Sequence, residues 1–442
     1  MGSMIYSIEW LPVVLAGAIF VTCYAFIISE KINRAIIAVC GAVLLVFLGI
    51  VDLHVAYTEH IHWATIFLLL GMMILVAIAT KSGIIQFIAI KAAQSAKGDS
   101  KKILVRLAVL TAVGSAFVDN VTMVLLIAPI TIAIAGTLRV NPTPYLITQI
   151  LICNIGGAAT LVGDPPNIMI GTAAGISFND FLIHLTPLIV ILLVITIFFS
   201  KRYFSKQLHI KKEDQDRLMQ IDAREVIRDS ALAKKSIVVF GLTLLGFFTH
   251  QFLHIEPATI ALFGAALLML LSTKSIGTEE VFQSVEWITI FFFAGLFVLV
   301  GGLVDVGIIE KLATWMLQAT GGDVAVTSLM LLWGAGIASG FVDNIPLVAT
   351  MIPMVQDMIA QLGLSEVEAK TLWWALALGA CLGGNGTLIA SSANLIVAQI
   401  AAREGTPISF ISFLKVSAPV TLVTLVLASI YVYIFFVSLG LS

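Results

Sequence analysis

Three carboxylates interrupt apolar stretches of this chain, and two of them sit directly beside asparagine. Asp119 and Asp343 occupy matching Phe-Val-Asp-Asn strings, and Asp164 occupies the string Gly163-Asp164-Pro165-Pro166-Asn167. Asn120, Thr122, Asn154, Thr160, Asn167, Asn344, Asn385, Thr387 and Asn394 cluster around the same places. Inside a membrane, ionisable groups are costly and mark a proton or ion path by default. A carboxylate at that depth needs a proton, a cation or water to balance it. Asp119, Asp164 and Asp343 are therefore the candidates for binding a proton or cation, and the Asn and Thr residues read as a polar, mostly neutral pocket. A local role competes for the same residues. Asp and Asn accept hydrogen bonds from the free N–H groups that start a helix, and Asp164-Pro165 reads as an N-cap followed by proline. Asp119 and Asp343 would cap in the same way, and Asn or Thr would satisfy backbone groups freed at breaks. Capping does not exclude function, because Ser or Thr could cap without a charge.

The composition puts those residues in a membrane. Of 442 residues, 60% are hydrophobic and 11% charged, against about 25% charged in a soluble domain. Runs of roughly 17–25 apolar residues mark spanning helices. They fall near 11–29, 35–51, 63–80, 145–175, 183–200, 236–252, 258–273, 287–304, 371–401 and 413–437. The first run reads as a retained span and not as a cleaved leader. The runs at 145–175 and 371–401 are too long for one crossing and are broken by Gly, Asn or Pro. The stretches 103–138 and 326–360 are also too long, with Asp-Asn in the middle, and read as re-entrant hairpins. The expected fold is thus an all-α polytopic membrane protein with discontinuous helices. Residues 1–200 form a first repeat, 201–235 a basic linker and 236–442 a second repeat.

The repeat is visible in register. At an offset of 224, Trp63-Ala-Thr-Ile-Phe pairs with Trp287-Ile-Thr-Ile-Phe, Gly83-Ile84-Ile85 with Gly307-Ile308-Ile309, Asp119-Asn120 with Asp343-Asn344, and Pro129 with Pro353. A shift to 227 pairs Gly156-Gly157 with Gly383-Gly384, Thr160 with Thr387 and Asn167 with Asn394. Five crossings and one hairpin per copy make the second copy inverted, the signature of a secondary transporter. With the linker in the cytoplasm and both termini outside, 22 of the 24 Lys and Arg fall on the cytoplasmic side, Arg34 among them, as the positive-inside rule requires. No Lys or Arg is expected in the apolar depth. Glu30, Asp52, Glu286 and Asp305 fall at crossing ends and read as interface residues. His54, His60, His62, His250 and His254 read as solvated loop residues on the outer side. Gly156, Gly157, Gly383, Gly384 and Gly386 would permit unwinding and close packing. Cys153 and Cys381 read as packing residues, and the four cysteines lack the spacing of a zinc site.

The strings Phe117-Val-Asp119-Asn120-Val-Thr122 and Asn154-Ile-Gly156-Gly157 through Asn167 resemble the hairpin-tip and unwound-helix motifs of the ion transporter superfamily. Within it the chain is most similar to ArsB-type arsenite efflux permeases and the related P proteins. The resemblance implies an elevator carrier of the bacterial inner membrane, often a homodimer, that expels arsenite or antimonite against inward proton flow. A soluble arsenite-stimulated ATPase is a partner of some such permeases. Phe341-Val-Asp343-Asn344-Ile-Pro346 also resembles the NhaD sodium/proton antiporters, which keeps Na⁺/H⁺ exchange open. The second break has Ala390-Ser391-Ser392-Ala393 where the first has Gly163-Asp164-Pro165-Pro166, so the two sites differ in charge. No nucleophile–base pair or metal cluster points to an enzyme, and neither a cofactor nor a nucleic-acid partner is expected.

Overall fold

Apolar sequence in a membrane must satisfy its backbone internally, and a helix does so within one segment. The structure, a computed structural model, describes residues 10–29, 31–208 and 217–441. Glu30 and the linker residues Lys211 and Lys212 lie outside the described residues. The first half contains α1 (Leu11–Ser29), α2 (Arg34–Phe47), α3 (Trp63–Lys81), α4 (Ile84–Ser95), α5 (Ser100–Phe117), α6 (Asn120–Thr137), α7 (Thr143–Gly157), α8 (Pro165–Ala174), α9 (Phe178–His184) and α10 (Thr186–Tyr203). The second half contains α11 (Ser230–Leu253), α12 (Pro257–Ser272), α13 (Thr278–Gln283), α14 (Trp287–Asp305), α15 (Ile308–Thr320), α16 (Val324–Ser339), α17 (Asn344–Leu362), α18 (Glu366–Gly383), α19 (Ser392–Arg403) and α20 (Phe410–Tyr431). Among the described residues, eight helices are long and apolar enough to cross a membrane, or nine if α15 and α16, bent by 120°, make one span. The other expected crossings are α2 and α12, of 14 and 16 residues, and the pairs α7/α8 and α18/α19 joined across breaks.

Two elements were not legible as apolar windows. α4 and α15 each lead from a long helix into a hairpin. Both start after a glycine in the left-handed region, Gly83 at φ 82° and Gly307 at φ 74°, which ends the preceding helix without steric penalty. The linker is also more ordered than its composition suggests. Gln94 Nε2 on α4 donates to the carbonyls of Leu218 (3.2 Å) and Ile221 (2.7 Å), and the Arg228 amide donates to the Ser82 carbonyl at 3.0 Å.

The halves interlock. α2 packs against α14 and α3 against α12, each pair joining one repeat to the other. The approach is backbone to backbone: a Cβ on Gly71 would lie 2.6 Å from the carbonyl carbon of Ala261, and one on Gly295 2.6 Å from that of Ala38. Small residues at crossings let membrane helices approach this closely. Around this frame, α5 packs on α7 and α16 on α18, while α8 packs on the hairpin arm α17 and α19 on the arm α6. Each broken helix thus reaches into the opposite repeat. Gly295→Val should overpack the α2–α14 crossing by about 1–3 kcal/mol and lower the thermal unfolding temperature of the purified protein. Gly241→Ala on α11, where an added Cβ meets nothing within 4 Å, should leave that temperature unchanged.

Candidate functional site

The helix breaks and the hairpin tips meet at the centre of the molecule. In the first repeat Asn167 Nδ2 donates to the carbonyls of Gly157 (3.3 Å) and Thr160 (2.9 Å), and in the second Asn394 Nδ2 donates to those of Gly384 (2.8 Å) and Thr387 (3.1 Å). Thr160 Oγ1 donates to the Ala116 carbonyl, and Thr387 Oγ1 to that of Gly340 at 2.7 Å. Ser115 Oγ donates to the Cys153 carbonyl at 2.7 Å, and Ser339 Oγ to the Ala380 carbonyl at 2.6 Å. Most of these carbonyls lie at helix ends or in the breaks between helices, where intrahelical partners run out. The same two frames, built from residues matched by the sequence repeat, tie each break to its own hairpin. The break glycines serve close packing: a Cβ on Gly156 would sit 2.7 Å from the Ala112 carbonyl oxygen. None of Gly156, Gly157, Gly383, Gly384 and Gly386 adopts a positive φ.

A second set of bonds crosses between repeats. Asn154 Nδ2 donates to Asn385 Oδ1 (2.9 Å), Asn394 Oδ1 (3.0 Å) and the Gly384 carbonyl (3.3 Å). Asn385 Nδ2 donates to the Leu151 carbonyl at 3.1 Å. Asn344 Nδ2, at the tip of the second hairpin, donates to Asp164 Oδ2 in the first break at 3.1 Å. Asn120 Nδ2 reaches Asn154 Oδ1 at 3.5 Å, and Ser115 Oγ donates to Asn120 Oδ1. The thiol of Cys153 donates to Asn120 Oδ1 and that of Cys381 to Asn167 Oδ1, both at 3.5 Å. The structure therefore brings nine of the twelve expected site residues into these two sets of bonds, and Asp119, Thr122 and Asp343 lie outside them. Both thiols join the second set, although the sequence pointed only to packing.

The three carboxylates divide by environment. Asp119 accepts from the Thr122 amide (3.0 Å) and Asp343 from the Ile345 amide (3.1 Å), so both cap the second arms of their hairpins. Asp164 holds the N-cap position of α8 but makes no capping bond with its side chain, against expectation. Pro165 and Pro166 follow it and offer no N–H, and its carboxylate turns to Asn344 instead. Asp164 is buried, at 2% exposure. Thr122 lies to one side, on a cavity of about 180 Å³ that Lys81 and Glu286 also line.

Arg34, half-buried at the head of α2, reaches the site from a helix end. Its Nη1 lies 3.2 Å from Asp343 Oδ2 and donates to Ser392 Oγ at 2.5 Å. Ser392 Oγ also donates to Asp343 Oδ2. The guanidinium stacks 4.8 Å over the Phe292 ring. Arg34 starts α2, where a cation opposes the helix dipole, so the pairing offsets an unfavourable placement. A lone Arg at the head of an apolar helix was the available signal. Two of the histidines, His60 and His250, also differ from expectation. His60 Nε2 lies 2.9 Å from Asp305 Oδ2, bridging the two halves, and His250 Nε2 accepts from the Phe178 amide at 3.3 Å.

Four helix N-termini, those of α6, α8, α17 and α19, and four C-termini, those of α5, α7, α16 and α18, converge here. Each terminus carries roughly half a charge, so the termini add no net charge and the side chains carry the net charge of the site. Asp119, Asp164 and Asp343 stand against Arg34. Among the described residues no group of three or more His, Cys, Asp or Glu could hold a metal ion.

This geometry can be set beside known proteins. A family model described as citrate transporter matches residues 24–379. The chain belongs to the citrate transporter family. An uncharacterized transporter of Mycobacterium tuberculosis is 43% identical over 424 residues, covering 95% of this chain and 98% of that protein. The P protein of Sus scrofa is 30% identical over 508 residues, covering 97% of this chain and 60% of the P protein. Among solved structures, the Alcanivorax borkumensis YdaH transporter superposes with a TM-score of 0.61 at 15% identity, covering 96% of this chain and 98% of that one. Neisseria gonorrhoeae MtrF, described within a class of antimetabolite efflux pumps, superposes with a TM-score of 0.60 at 11% identity, covering 98% and 97%. At such identities the likeness shows the fold. The protein is a multi-pass membrane transporter of this family and not an enzyme.

Asn394→Ala would remove one donor from each of the Gly384 and Thr387 carbonyls and one acceptor from Asn154 Nδ2 at the centre. Each lost hydrogen bond costs about 0.5–1.5 kcal/mol. The variant should unfold at a clearly lower temperature in detergent and lose transport, with Asn394→Asp no better.

Proposed function

We propose that the protein is a proton-coupled secondary carrier working by an elevator motion, and that its cargo is small and neutral or cationic. The observation that carries the reading is the charge balance of the central site. Three carboxylates meet one guanidinium there, and the helix ends add no net charge. A free polyanion such as citrate would face a formal excess of two negative charges. Trivalent arsenic and antimony hydroxides, mostly uncharged at neutral pH, fit the Asn, Ser, Thr and thiol lining, and export of arsenite or antimonite is the leading reading. Na⁺/H⁺ exchange is the second reading, favoured by the same carboxylate excess.

The division into an interlocked frame and a body of hairpins and broken helices supports the elevator reading. On this reading the frame stays fixed while the body slides, carrying the central site from one face to the other. The linker faces the cytoplasm, both termini face outward, and the membrane is the bacterial inner membrane. The frame is the surface offered to a second copy in a homodimer. The partners that follow are the lipid bilayer, protons and the cargo, with a soluble ATPase as an optional one.

Flux in proteoliposomes under an imposed pH gradient tests the reading. Arsenite or antimonite should move against the gradient and dissipate it, citrate should do neither, and Asp164→Asn should slow coupled flux roughly tenfold or more, in line with losing a buried charge-assisted hydrogen bond. Dissipation by Na⁺ with no movement of arsenite would replace the first reading by the second. Citrate flux without an accompanying cation would overturn both.

A further inference from the structure

We infer that Arg34 is the scaffold group that displaces the coupling proton from Asp343, and that it acts in the second half only. The inference rests on the proton-coupled elevator reading above. Three observations carry it. First, Arg34 belongs to the interlocked frame, through α2, while Asp343 and Ser392 belong to the hairpin and broken helix packed around it. The ion pair therefore spans the boundary across which an elevator slides. Second, α1 holds the same hairpin beside it. Tyr24 Oη donates to the Pro346 carbonyl at 2.5 Å and lies 2.8 Å from Thr350 Oγ1. Third, the pseudo-symmetric partner site lacks every part of this latch except the carboxylate. α2 and α12 superpose in sequence at an offset of 223, Ala35 to Gly41 against Ala258 to Gly264, which places Pro257 opposite Arg34. Pro165 stands opposite Ser392. By this register the positions matching Arg34 and Ser392 hold prolines, which cannot pair with Asp119.

The chemistry is a competition for one carboxylate. In the state described here the guanidinium occupies Asp343, and the proton it replaces leaves to water at the linker end. When the hairpin slides away, Arg34 stays with the frame and Asp343 must take a proton to lose its charge. A proton thus binds Asp343 more tightly in one state than in the other, which is the differential affinity a coupled carrier requires. Other charged and titratable groups face this pair. Asp164 and Tyr24 lie within electrostatic reach of Asp343, and Glu286 lies within reach of both Arg34 and Asp119. Arg34 is a positioning residue: it touches the proton-binding group and not the cargo.

The test needs no cargo. Spin labels at Lys274→Cys, beyond α12, and Glu404→Cys, beyond α19, report the displacement of the two bodies in the full chain in lipid nanodiscs. Cys40, the exposed thiol among the four, is replaced by Ser. Raising the pH should move the wild-type distance distribution toward the present state. Arg34→Gln should lose most of that pH response, and Arg34→Lys should keep it. Asp343→Asn should lose it as well, and serves if Arg34→Gln does not fold. A wild-type pH response retained in Arg34→Gln or in Asp343→Asn overturns the inference and leaves the carrier reading standing. A wild-type protein whose distances ignore pH overturns both.

Discussion

Eight helix ends meet at the centre of a protein whose outer surface is apolar. Each end presents backbone groups that no intrahelical partner can satisfy, and the Asn and Thr side chains beside them are buried. Most residues singled out by their polarity answer to that constraint first. Asn167 and Asn394 cover carbonyls at their own breaks, Thr160 and Thr387 tie the breaks to the hairpins, and Asp119 and Asp343 cap the hairpin arms. What remains after this accounting is the small set of titratable groups at the centre: three carboxylates and two thiols.

That constraint also explains why the site is one site and not two. The frames within each repeat could exist in a half-molecule. The bonds from Asn154 to Asn385 and Asn394, and from Asn344 to Asp164, cannot. They make the hairpins and broken helices of both repeats a single body with one charge balance. Duplication supplied two copies of the frame, and divergence then made the copies unequal. Proline stands at one break where serine stands at the other, and arginine heads α2 where proline heads α12. A carrier that must bind cargo and proton at different moments needs such inequality, because identical sites would load identically.

Much of this was legible before any coordinates. Internal register identified the hairpins, the breaks and the inverted halves, because a polar string kept inside an apolar run twice over leaves few other arrangements. Boundaries followed from apolar length, so α4 and α15, short and partly polar, went unread. The site was legible as a cluster of residue types but not as a wiring diagram. Asp164-Pro165 looked like a self-contained cap, and only the opposite hairpin reveals that its carboxylate is turned to Asn344. Arg34 was hidden for a related reason: the positive-inside pattern accounts for it fully as a charge at a helix end, and side-chain reach across the boundary leaves no trace in linear sequence. His60 was hidden likewise, since its partner Asp305 lies in the other repeat.

The hydrogen bond from Asn344 to Asp164 makes the pair one unit across the two repeats. A double-mutant cycle measures this coupling: initial transport rates in proteoliposomes for the wild type, Asp164→Ala, Asn344→Ala and the double variant. The double variant should be scarcely slower than the worse single variant, a coupling of about 0.5–3 kcal/mol for residues in one network. Losses that multiply independently would contradict it.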